Sequence, residues 1–168
     1  MPRRVRLPHE GEEIDRIIRQ IKDAVCDTRT TVIAGAEVTY SICEPWPLEP
    51  EPAIHDHYGN IYVPASRFAS DTLRADLGAY HEHVEVQHEL AGRSHAYAHR
   101  RALLMELLAA RDIYDADGLR EYVRYRVSIY PAWKIPDGGA VASELCELLS
   151  ADRPRRGRLI EVITRARM

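Results

Sequence analysis

The chain has 168 residues, little cysteine and no long apolar run. Its three cysteines, Cys26, Cys43 and Cys146, are odd in number and far apart, with no Cys-x-x-Cys spacing. That argues against a disulfide framework and against a thiolate zinc site. Free, buried thiols fit a reducing cytosol. No apolar stretch is long enough to span a bilayer, and the opening residues from Met1 to Glu13 hold no apolar h-region. The expectation is a cytoplasmic protein that meets no membrane. A phosphate loop is missing too, because Gly138-Gly139 has no lysine after it. There is no Gly-x-Ser-x-Gly nucleophile elbow, so Ser94 reads as a helix cap. Nor is there a basic excess: the net charge is −3, and the average surface does not favour nucleic acid. Arg3, Arg4 and Arg6 at one end, and Arg153, Arg155, Arg156, Arg158, Arg165 and Arg167 at the other, read as solvated surface.

What is present suits one globular domain over residues 1–168, with 29% charged and 45% hydrophobic residues. Ile14, Ile17, Ile18, Ile21 and Val25 recur at spacings of three and four, which predicts an amphipathic helix from Glu10 to Cys26. Thr30–Ile42 carries two β-rich pieces around Gly35 and reads as a hairpin or two short strands. Pro45, Pro47, Pro50 and Pro52 then impose an extended connection. His55–Asn60 follows as a turn and Ile61–Val63 as a short strand. From Ser66 the pattern is helical: Ser70–Leu90, a break at Gly92, a helix capped by Ser94 to about Arg111, one over Gly118–Ser128, then Ala140–Leu149 and Arg158–Arg165. Tyr130-Pro131 and Ile135–Gly139 read as interruptions. The fold class is α+β, with an N-terminal helix, a small two- or three-stranded sheet and a helical C-terminal half.

Seven of the eight histidines lie between His55 and His99. At about 100° per residue, His81, Glu85 and His88 fall within about 60° of one another on one helix face. They border an apolar stripe of Leu73, Leu77, Tyr80 and Val84. On the next helix His95, His99 and Glu106 share a face, with the small residues Ala98 and Ala102 beside them. A helical hairpin at Gly92 would set Glu85 opposite His99 and His81 opposite Ala102–Glu106. His81, Glu85 and His99 then converge, with Glu106 or His88 as a fourth ligand. Imidazoles plus a carboxylate suit a divalent metal, zinc first, and also iron, nickel or manganese.

The string His81-Glu82-His83-Val84-Glu85 resembles the His-Glu-x-x-His helix of zincin metallopeptidases, with Glu85 standing where the second histidine belongs. That resemblance implies zinc-activated water attacking an amide or ester, with Glu82 as the general base. A longer pattern, His81, Glu82, Val84, Glu85, Gly92, Ser94, Ala98, His99, Ala102 and Glu106, is similar to a two-helix signature in uncharacterised bacterial and phage proteins. It implies a shared site and no particular reaction.

The expected function is a metal-dependent hydrolase acting on a peptide or small molecule. The rival is a non-enzymatic interaction or nucleic-acid-associated protein with a structural His/Glu cluster. Glu85-x-x-His88 has the spacing of di-iron bundles, which would need a second copy in a homodimer. His55 and His57 form a His-x-His pair, read as a surface loop. His83 points away from Glu85 and reads as solvated. Tyr114, Tyr122, Tyr125, Tyr130 and Trp133, interleaved with Arg120, Arg124 and Arg126, read as a core stripe with a charged opposite face rather than as a nucleic-acid clamp.

Overall fold

A computed structural model describes residues 11–48, 53–56, 58–129 and 137–168. His57, the Tyr130-Pro131 and Ile135-Pro136 breaks, Trp133 and the N-terminal arginines lie outside them. The chain divides into two compact units, Met1–Ala102 and Leu103–Met168.

The described residues of the first unit open with helix α1, Gly11–Asp23. It ends earlier than expected, and Val25 and Cys26 belong instead to strand β1, Val25–Ile33. The turn through Ala34 and Gly35, both at positive φ, leads into β2, Ala36–Cys43. The two strands pair antiparallel, from Ile33 opposite Ala36 to Val25 opposite Cys43. Two further strands follow, β3, Ile54–His55, and β4, Ile61–Pro64. The sheet is mixed, in the order β1-β2-β4-β3, with β4 parallel to β2 and antiparallel to β3. The fourth strand was not expected because β3 has only two residues, too few to show an alternation.

Each face of this sheet has its own cover. On one face Ile21 of α1 packs with Cys43 and Tyr62. Val38, Tyr40 and Ile42 alternate onto the other face, as Ile61 and Val63 do in β4, and all five are buried. That second face meets α3, Thr72–Leu90, which follows the short helix α2, Ala65–Ser70. Asp71 separates the two helices and caps the second, accepting the backbone N–H of Arg74 at 3.0 Å. The expected single helix from Ser70 therefore starts two residues later. Asp76 fastens α3 to the sheet. Its carboxylate accepts two hydrogen bonds from Arg29, at 2.8 and 2.9 Å, and one from Tyr40, at 2.7 Å. Burial pushes the Tyr40 hydroxyl well above its ordinary pKa, and the bond to Asp76 adds to the shift.

Helix α4, His95–Ile113, follows a tight turn in which Gly92 has φ 83°. Ser94 Oγ accepts the N–H of Tyr97 at 3.3 Å, as the capping pattern anticipates. The boundary between the units falls within α4.

In the second unit, α5, Ala116–Ser128, is capped by Asp115, and α6, Gly138–Leu149, by Asp137 at positive φ. Gly138 and Gly139 thus begin a helix and do not interrupt one. The chain closes with α7, Arg156–Arg165. Leu103, Leu107, Tyr122, Leu145, Leu149, Leu159 and Ile163 are buried here. Glu106 is fully buried and paired with Arg126, while Tyr122 donates its hydroxyl to the same carboxylate. Among the described residues no helix is long and apolar enough to cross a membrane. The three cysteines are free; Cys43 is buried as expected, but Cys26 is exposed.

Asp76→Ala leaves a charged Arg29 and a buried Tyr40 hydroxyl without their acceptor, so urea unfolding is expected to show a loss of about 3 kcal/mol. An unchanged midpoint would show that the Asp76 cluster does not fasten α3 to the sheet.

Candidate metal centre

Helix α3 carries three glutamates, Glu82, Glu85 and Glu89, at spacings of three and four, so they share one face. Glu85 is the most enclosed, at 3% exposure. His81 lies one turn before it on the same helix and is also buried. His95 and His99 come from the first turns of α4.

His81 Nε2 lies 3.1 Å from Glu85 Oε2 and 3.2 Å from His99 Nδ1, and His99 Nδ1 lies 2.9 Å from the same carboxylate oxygen. The three atoms form a nearly equilateral triangle. An imidazole nitrogen either carries a proton or offers a lone pair, never both. No placement of protons therefore makes all three contacts into hydrogen bonds. One cation accepting three lone pairs satisfies them together. A tetrahedral zinc ion with bonds of about 2.0–2.1 Å holds neighbouring ligand atoms about 3.3 Å apart, and the triangle matches that spacing. Two nitrogens and one carboxylate oxygen are also a donor set that zinc accepts. The residues fit the ion.

Around the triangle runs a second set of contacts. His95 Nδ1 lies 3.0 Å from Glu85 Oε1 and 2.7 Å from Glu89 Oε1. His55 Nε2 lies 3.1 Å from Glu89 Oε2, and its Nδ1 lies 2.5 Å from Glu82 Oε2. His55 reaches the cluster because it pairs with Ile61 at the edge of the sheet and so shares the face turned to α3. Its neighbour Asp56 locks the turn that follows. The Asp56 carboxylate accepts the N–H groups of Tyr58 and Asn60 at 2.9 and 3.0 Å, the Asn60 amide at 2.8 Å and an ion pair from Lys22 at 3.1 Å.

Burial opposes the charge on Glu85, but its bonds to His81, His95 and His99 outweigh that and hold its pKa far below the carboxylate range. Burial likewise disfavours a charged His55, yet its hydrogen bonds to Glu82 and Glu89 prevail and raise it to about 10. Glu89 is brought down to about 2, its bonds to His55 and His95 exceeding the cost of burial.

Of the residues singled out in the sequence, His81, Glu85 and His99 meet as the helical-hairpin geometry suggests. Glu82 is not in that group and is held by His55. His88 is turned to the ring of Tyr97, edge-on at 5.6 Å between centroids, and belongs to neither of the two His/Glu groups with metal-ligand spacing among the described residues. Glu106 is likewise absent from both groups and is engaged by Arg126 and Tyr122. His83 contacts Gln87 at 3.0 Å and is half-buried, not fully solvated as expected. His55 departs from the sequence reading, for it is buried on a strand and not displayed on a loop. Glu89 had no separate signal, although its spacing of four from Glu85 put it on the right face. No protein-family model matches the chain, and no curated protein or solved structure matches it either.

Two outcomes follow from these placements. Glu106→Ala strands a buried arginine and is expected to cost about 3–5 kcal/mol without changing the metal bound per folded molecule; loss of metal from a variant shown to be folded would contradict its placement outside the metal groups. A charged His55 stabilises the metal-free protein fully below its ordinary pKa of 6.5, and that contribution is lost as pH rises through about 10. Chelator-treated protein should therefore lose more stability between pH 6.5 and 10 than His55→Gln does. Equal losses in urea unfolding would contradict the charge assignment.

Proposed function

We propose that the chain is a metal-dependent hydrolase of peptidase-like chemistry, holding one divalent cation, zinc first, on His81, Glu85 and His99. One observation supports the reading above the others: three ligand atoms stand 2.9–3.2 Å apart in an arrangement that protons alone cannot satisfy. When bound, zinc lowers the pKa of a water and polarises a carbonyl oxygen, which is the chemistry of amide and ester hydrolysis. The side chains supply the remainder. His95, at Glu85 Oε1, orients the carboxylate so that Oε2 faces His81 and His99. Glu82 adjoins His81 in the chain and accepts from His55 with one oxygen. A carboxylate has two oxygens, and the other would be the one to take a proton from a water. His99 and His95 are the more solvent-accessible members, so substrate enters from the α4 side. The substrate is a peptide or a small molecule with an amide or ester bond.

A non-enzymatic protein with a structural cluster is the second reading. It is favoured by the way His55 spans Glu82 and Glu89, an ion-paired arrangement that holds sheet to helix without any reaction.

Turnover separates the two. Metal content by elemental mass spectrometry and cleavage of a fluorogenic peptide library are measured for the wild type, Glu82→Gln and the His81→Ala/His99→Ala double variant. Glu82→Gln is expected to retain metal and lose about 10²–10⁴ in kcat, and the double variant to lose the metal. Full activity in Glu82→Gln would remove the proposed base. Metal-dependent stability with no turnover in the wild type would favour the structural reading.

A further inference from the structure

We infer that the cluster takes a second divalent cation, held by His55, Glu85 and Glu89, so that the Glu85 carboxylate bridges two ions. The inference rests on the reading of His81, Glu85 and His99 as the first site and extends it to a binuclear centre.

Five features of the side chains point this way. One ligand atom from each of His55, Glu85 and Glu89 lies within 4.8 Å of the other two. Glu85 belongs to both this group and the first. Its two oxygens also have different surroundings: Oε2 faces His81 and His99, while Oε1 faces His95. A bridging carboxylate needs that division, as in paired-metal sites where one group spans both ions.

His55 has the setting of a ligating imidazole. Its Nδ1 is anchored on the Glu82 carboxylate and its Nε2 is turned to Glu89. Anchoring one ring nitrogen on a carboxylate fixes the ring, so that a metal displacing the Nε2 proton would meet a lone pair already aimed at Glu89. In this arrangement Glu82 orients His55 with the oxygen it does not use as a base.

The charges are crowded in a way that one ion does not relieve. His95 Nδ1 stands against Glu85 and Glu89 at once, 3.0 and 2.7 Å away. A single nitrogen carries at most one proton, so the two carboxylates have to share it. Glu89 and Glu85 are close enough to repel one another. A cation shared between them removes that repulsion. The donor set of one imidazole and two carboxylates is harder than that of the first site and suits manganese, iron or zinc.

The test is metal stoichiometry in the full chain. Protein purified without a metal-affinity column is stripped with chelator, loaded with Mn²⁺ or Zn²⁺, desalted and assayed by elemental mass spectrometry. Wild type is compared with Glu89→Gln, His55→Asn and His99→Ala, and circular dichroism checks that each is folded. Glu89 is partly exposed, so its variant carries the test even if His55→Asn does not fold. The expected result is two equivalents in the wild type and one in Glu89→Gln. The manganese form should give the multiline electron paramagnetic resonance signal of an exchange-coupled pair, lost in Glu89→Gln. One equivalent in the wild type, lost in His99→Ala and kept in Glu89→Gln, overturns the second ion and leaves the first. It would make His55 an ion-paired structural group. No bound metal in any form overturns both.

Discussion

A carboxylate buried among three imidazoles constrains the whole first unit. An isolated carboxylate in the protein interior would give up its charge, and Glu85 keeps its own only because His81, His95 and His99 reach it. His81 comes at no architectural cost, one turn away on the same helix. The other two require α4 to fold back at once. That return is made by Gly92, whose positive φ is open to glycine, and by backbone bonds from Gly92 to Glu89 and from Arg93 to His88. On the far side, Glu82 and Glu89 extend the network to His55, which orients the edge of the sheet against the same helix.

Two other buried carboxylates show what sets this one apart. Asp76 in the first unit and Glu106 in the second are each held by an arginine and a tyrosine hydroxyl. Arginine stays charged and offers no lone pair, so those sites are finished as they stand and serve to fasten elements together. Glu85 is surrounded by groups that can surrender a proton and present a nitrogen instead. The same burial and the same charge therefore lead to scaffolding in two places and to a candidate reactive centre in the third.

Much of this was legible in the sequence wherever a local period carried it. The spacings along α3 put His81 and Glu85 on one face, and Gly92 with Ser94 announced the return that brings in His99. Ser94 marked the start of α4 as its cap. What stayed hidden depends on contacts far apart in the chain. His55 looked like part of a surface loop, because a two-residue strand has no periodicity and its partner Ile61 lies across a turn. Glu106 shares a helix face with His99, but the arginine that claims it is twenty residues further on. Period reports which residues share a face; it does not report what that face meets.

The brevity of β3 decides how His55 is supported. Two residues supply few ladder bonds, so His55 is held by its ion pairs to Glu82 and Glu89 and by the Asp56 carboxylate in the next turn as well as by the sheet. The cluster thus draws on two sources: His81, Glu85, His95 and His99 ride on two consecutive helices, while His55 arrives from the edge of the sheet. A change in the edge strand reaches the cluster through that one imidazole.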